Sequence, residues 1–195
     1  MVAIFVKPLE DKPLKRTLTI LSLLLTLSIA SNTYGQQDDP AARDRTRDQL
    51  GQLLEKLSPE VHITFTRSTK QPYNFKGELN TGLTNADKLE IVIGVTPKDT
   101  IGFRIYPHYN NGYINVDKAR DRVGLMRLLL RLSDRGFLFW GADDTGDVFC
   151  GYTVTLESGF PPESIEIVLL SIANTDKFIG EIKPFIDQPP AATNP

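Results

Sequence analysis

Residues 116–186 read VDKARDRVGLMRLLLRLSDRGFLFWGADDTGDVFCGYTVTLESGFPPESIEIVLLSIANTDKFIGEIKPFI, and their order decides the fold. Leu125, Met126, Leu128, Leu129, Leu130 and Leu132 make the first part strongly apolar and place it on a helix. Asn115 or Asp117 can cap that helix, which is predicted to run to about Arg135. Gly136 follows as a stop of the left-handed kind. Phe137–Ala142 and Val148–Leu156 read as strands joined by Asp143-Asp144-Thr145-Gly146-Asp147, where Gly146 supplies the left-handed position of a hairpin. Pro161-Pro162-Glu163 opens the last helix. Its stripe is Ile165, Val168, Leu169, Ile172, Ile179, Ile182 and Ile186, with Pro184 ending or kinking it.

Upstream, Asp39-Pro40 has the form of a helix start, and Leu50, Leu53, Leu54 and Leu57 carry one apolar stripe. Ser58-Pro59 is predicted to stop that helix. Val61, Ile63 and Phe65 alternate with His62, Thr64 and Thr66 as in a half-buried strand. A second, broken strand carries Tyr73, Phe75 and Leu79. Leu89–Val95 reads as a central strand, and Ile101, Phe103 and Ile105 mark the next one. Asn110-Asn111-Gly112 turns the chain into a strand over Tyr113–Val116, with Asn-Gly supplying positive φ. Consecutive strands without intervening helices define an α+β protein, in the order α-β(4-5)-α-β-β-α, with an antiparallel sheet flanked by helices.

The ends read differently. Lys12, Lys15 and Arg16 precede the uncharged, Leu-rich run Leu18–Ala30, which fits a signal peptide over residues 1–35, cleaved after Ala30 or Gly35. An uncleaved N-terminal anchor is the alternative. Residues 36–39 then form a short mature tail, 40–187 a single domain, and 188–195 (QPPAATNP) a disordered tail. The whole chain of 195 residues carries a net charge of −2. Without residues 1–35, 18 basic and 22 acidic residues remain, a net of −4. That balance excludes nucleic acid as main partner and any membrane role beyond export.

Catalytic signatures are missing. Neither GxGxxG nor GxxxxGK[ST] occurs, so no phosphate-cradling loop is expected. His62 and His108 belong to no metal-binding spacing, and a serine hydrolase lacks its G-x-S-x-G elbow. Asp143, Asp144 and Asp147 are too close together for a calcium loop and are read as a hairpin turn. Cys150 is the single cysteine, and its place in an alternating strand makes it a small buried apolar residue. No catalytic, cofactor-binding or metal-ligating residue is therefore assigned. The candidate partner-binding residues are Arg127, Arg131 and Arg135, which recur at i, i+4 and i+8 as one basic stripe. Solvated arginines whose stems cover apolar surface are the plain alternative.

Arg122–Phe185 resembles the YbjN-domain family, described as bacterial sensory transduction regulators. The likeness rests on a Leu-rich helix running into an aromatic strand, the D-D-x-G-D hairpin, and a Gly followed by a Pro-x-Ser helix start. With the preceding helix and meander it covers roughly residues 40–187. It implies a fold like that of type III secretion chaperones, with no enzymatic activity and no cofactor. It also implies a partner that is an extended protein segment or, as a homodimer, a second copy. Two features depart from the family: the export signal, and Ser133 where members often carry Asn. The function expected is an exported, periplasmic or extracellular, non-catalytic domain that binds protein or peptide, in a regulatory or chaperone-like role. A small-ligand sensor with a pocket between sheet and helices is the alternative, and a hydrolase using His62 or His108 the remoter one.

Overall fold

The computed structural model describes residues 40–187. The leader over 1–35, the tail over 36–39 and the tail over 188–195 lie outside the described residues. Helix α1 (Pro40–Val61) is followed by β1 (Thr66–Arg67), β2 (Asn74–Leu79), β3 (Lys88–Val95), β4 (Thr100–Tyr109) and β5 (Gly112–Tyr113). A 3₁₀ turn (Val116–Lys118) leads into α2 (Arg122–Arg135), then β6 (Phe139–Ala142) and β7 (Val148–Thr155). The described chain closes with α3 (Pro162–Ser171), a second 3₁₀ turn (Ile172–Thr175) and α4 (Asp176–Ile186). Among the described residues no helix is long and apolar enough to cross a membrane.

The strands form one antiparallel sheet in the order β1-β2-β3-β4-β7-β6, with β5 paired to the end of β4. This is the α+β class expected from the consecutive strands. Register then assigns the two faces. Phe75 opposes Ile93, Ile91 opposes Ile105, and Ile105 opposes Cys150, which opposes Trp140. Those residues share a core with Leu50, Leu54 and Leu57 of α1, Leu125, Leu128, Leu129 and Leu132 of α2, and the apolar residues of α3 and α4. Burying one face on helices while the other meets water is the ordinary arrangement of an antiparallel sheet, and it produces the observed alternation along β3 and β4.

Several local expectations are corrected. Helix α1 does not stop at Ser58-Pro59 but runs to Val61, with Pro59 inside it. Glu55 and Pro59 are both exposed, so water can take the carbonyl whose amide partner proline lacks. The stop comes at His62, whose φ of 55° reverses the chain. Ile63 and Phe65 alternate in burial as expected, yet only Thr66–Arg67 pair as a strand, because the Ile63 amide turns back to the Ser58 carbonyl.

The β4–β5 turn takes its positive φ at Asn110 (54°) and Asn111 (61°), not at Gly112. The strand after it ends at Tyr113. Asn115 makes an isolated antiparallel bridge to Asp147 and caps the 3₁₀ turn, while Asp121 caps α2 by accepting from the Gly124 amide at 2.8 Å. Gly136 follows α2 in extended backbone, φ −130°, so the helix stops without a left-handed residue.

The last helix is two helices. A 3₁₀ turn interrupts the α-helical run at Ile172–Thr175, where Thr175 Oγ1 donates to the Ile172 carbonyl at 2.7 Å and Asp176 is drawn to the β2–β3 loop, while Pro184 lies inside α4.

Ser133 acquires a specific task in this geometry. Strand β6 ends the sheet, so its outer groups lack a strand partner among the described residues. The Ser133 hydroxyl accepts from the Trp140 amide at 2.7 Å and shares its proton between the carbonyls of Leu129 (3.0 Å) and Trp140 (3.3 Å). One side chain of α2 thus answers both backbone groups of an edge residue. Ser133→Ala is expected to cost about 1–2 kcal/mol. Urea unfolding measures the loss, and faster hydrogen exchange at the Trp140 amide locates it.

Candidate functional site

Two surfaces and one buried cluster are candidates. The first surface is the outward side of α2. Arg127, Arg131 and Arg135 are all exposed, as the i, i+4, i+8 spacing requires. They do not behave alike: Arg135 Nη2 donates to Glu181 Oε2 of α4 at 2.7 Å, so this arginine ties α2 to α4. Beside Arg127 and Arg131 stand Val123, Met126 and Leu130, which are 60%, 46% and 69% exposed. Phe137, just past the helix end, is also exposed and meets Tyr152 edge-on at 5.5 Å. The sequence reading grouped Met126 and Leu130 with the buried leucines. The helical turn separates them: Leu125, Leu128, Leu129 and Leu132 face the core, and Met126 and Leu130 face away.

The second surface is the face of the sheet that is helix-free among the described residues, where a trough of about 630 Å³ runs along β3 and β4. Its floor is Val92, Gly94 and Gly102, the last two directly opposed across the strand pair. Arg104 and Tyr106 follow Gly102 on the same face of β4, with Lys76 and Glu90 on neighbouring strands. An aromatic ridge bounds it. Phe139 meets Phe149 edge-on at 5.8 Å, Phe149 lies 5.7 Å from Tyr106, and Tyr106 meets Tyr113 edge-on at 5.9 Å. Arg104 stacks on Phe149, 4.7 Å from the ring centre. Sequence reasoning missed this surface, because alternating polar residues in a strand look the same on a bare solvated face and on a binding face. The trace left in the sequence is the glycine at 102 inside a strand.

The acidic turn between β6 and β7 closes one end. Asp143 Oδ1 accepts from Thr145 Oγ1 (2.7 Å), the Thr145 amide (3.0 Å) and the Asp147 amide (3.0 Å), and Gly146 takes φ 81°. Partial burial opposes the Asp143 charge, but hydrogen bonds from Thr145 and the Asp147 amide outweigh it and hold the carboxyl below its ordinary value. Asp143 Oδ1 thus closes the turn of the hairpin. Among the described residues no group of three or more His, Cys, Asp or Glu is placed to hold a metal ion.

His108 lies beyond the ridge, its ring 4.1 Å from that of Tyr113. Its Nε2 is buried without a hydrogen-bond partner among the described residues and sits 3.6 Å from Glu90 Oε2, the oxygen to which Tyr113 donates at 2.7 Å. Burial first, and the charge of Lys88 second, push the His108 pKa down, so the imidazole is neutral at neutral pH. The Glu90 hydrogen bond and burial raise that of Tyr113. His62 is exposed at the end of α1, on a separate element from His108. Cys150 is fully buried opposite Ile105 and Trp140, and burial pushes its thiol up, as a packing residue requires.

The fold and surfaces define the class: an α+β protein whose antiparallel sheet is covered by helices on one face and bare among the described residues on the other. No family model matches the chain, and no curated protein does. Among solved structures it is similar to a chain in the crystal structure of the ExsC–ExsE complex, with 12% identity and a TM-score of 0.42, over 70% of this chain and 94% of that one.

Proposed function

We propose that the chain is an exported, non-catalytic, protein-binding domain of YbjN-like, chaperone-like character, whose partner docks on the outward side of α2. The observation that carries this reading is the exposed apolar line Val123–Met126–Leu130, flanked by Arg127 and Arg131. A surface helix that leaves three large apolar side chains in water gains by covering them, and clustered exposed apolar residues mark interaction surfaces. The two arginines select a partner segment that is apolar with acidic flanks. The Leu-rich run preceded by basic residues supports export.

A photo-crosslinking residue at position 130, in the full chain made in its own cells, tests both statements. The expected product is a crosslink to a distinct polypeptide in the exported fraction, weakened at least about tenfold by Arg127→Glu with Arg131→Glu. A crosslink to a second copy makes the face a homodimer interface, and absence of any crosslink overturns the reading.

A further inference from the structure

The helix-free face carries a separate inference, independent of the partner surface on α2. Gly102 sits inside β4, two residues from its start, yet nothing among the described residues asks for glycine there. Among the described residues a Cβ added at Gly102 meets no atom within 4 Å, and its φ lies outside the left-handed range. Glycine inside a strand lowers stability, because it gives up side-chain packing and loses more freedom on folding. What it provides is a flat, bare peptide surface that another molecule can approach closely. Its cross-strand partner is Gly94, so the bare floor spans two adjacent strands. A side chain at Gly94 would meet only the tip of Asn74, Oδ1 at 2.7 Å.

Charge then says what approaches. The three acids lining the trough, Glu90, Asp143 and Asp147, accept hydrogen bonds from within the protein. Glu90 is held by Tyr113 Oη at 2.7 Å and lies 4.0 Å from Lys76 Nζ. Asp143 is held by the turn, and Asp147 accepts from Asn115 Nδ2 at 2.8 Å and Thr145 Oγ1 at 3.1 Å. Arg104 is different. Its contacts are the face of Phe149 and a long 3.4 Å approach to Tyr106 Oη, with no carboxylate within ion-pair distance among the described residues. Stacking holds the guanidinium in place, and apart from that long bond to Tyr106 its N–H edge meets no carboxylate among the described residues. A guanidinium so fixed presents a fork that matches a carboxylate. It stands on the same face as Gly102, two residues along the strand, at the edge of the bare floor.

We propose that this trough binds a small planar organic acid, its carboxylate on Arg104 and its flat body on the Gly94–Gly102 floor beside the aromatic ridge. The volume of about 630 Å³ lies in the range of small-molecule sites. The probe is 2-naphthoate, with the uncharged 2-naphthamide as control, added to the folded ¹⁵N-labelled protein while the Gly94 and Gly102 amides are followed by NMR. Saturable shifts of both amides with naphthoate are expected, and at least about tenfold weaker binding of the amide. Arg104→Gln should weaken naphthoate by a similar factor. Gly102→Val should abolish it while holding or raising the melting temperature, which separates a filled floor from a damaged fold. No saturable shift with naphthoate, or equal response to the naphthamide, overturns the proposal. A saturable response confined to an acidic hexapeptide overturns it in favour of a polypeptide occupant. Since α2 packs on the helix-covered face, loss of crosslinking at position 130 leaves these readouts unchanged.

Discussion

Asp176→Ala is expected to destabilise the domain by about 3–5 kcal/mol, lowering the melting temperature by roughly 10 °C or more. The reason is a single buried carboxylate that closes a loop from the far end of the chain. Asp176 begins α4, and its two oxygens accept from the amides of Thr84 (2.9 Å), Asn85 (3.0 and 3.1 Å) and Ala86 (2.7 Å), and from Asn85 Nδ2 at 3.3 Å. Alanine would leave three consecutive amides of the β2–β3 loop without an acceptor, one of them buried. Asp176→Asn keeps one acceptor but turns an NH₂ toward donors, so it is expected to lose about half as much.

The pH dependence has a definite sign. Burial opposes the Asp176 charge, but the Ala86, Thr84 and Asn85 donors outweigh it and hold the carboxyl below its ordinary value. A group whose folded pKa is depressed contributes stability above its unfolded pKa and loses it as pH falls through the folded one. The stability gap between the native chain and Asp176→Asn should therefore be constant near neutrality and narrow below about pH 4. Urea unfolding across that range checks it. A loss under about 1 kcal/mol for Asp176→Ala, or parallel pH profiles for the native chain and the Asn variant, overturns the clamp.

This clamp also shows where sequence reading reaches its limit. The apolar period of Leu89–Val95 and the turn chemistry of the Asp143–Asp147 loop are local, so β3 and the β6–β7 hairpin were legible in a single stretch. Asp176 was not legible, because its partners lie about 90 residues away and its position within a continuous apolar stripe suggested one long helix. The same holds for the sites. Helical spacing alone put Arg127 and Arg131 on the surface. It could not divide six apolar residues of α2 into buried and exposed sets, because that division depends on where α3, α4 and β6 lie. On the sheet, Arg104 and Glu90 looked like any polar strand positions until register set them around the bare glycines.

Gly151→Ala is expected to cost about 2–4 kcal/mol, the opposite of what the same change does at Gly102. Both glycines point to the helix-free face, and they stand on the adjacent strands β4 and β7. At Gly151 a Cβ would lie 2.7 Å from the Phe103 carbonyl oxygen and 2.8 Å from Phe139 Cζ. The carbonyl is backbone inside the sheet and cannot swing aside, so β7 must move away from β4 and the Phe139 ring must lift. That ring is one end of the aromatic ridge, packed edge-on against Phe149, on which Arg104 stacks. At Gly102 the same added carbon meets nothing among the described residues, and replacing a strand glycine there is expected to be neutral or to stabilise by about 0.5–1 kcal/mol. Parallel urea unfolding of the two variants gives the comparison, and altered Phe139 ring resonances confined to Gly151→Ala give its structural counterpart. Equal stabilities would mean that β4 and β7 are not in the close contact that shapes the ridge, and the fixed setting of Arg104 would lose its support.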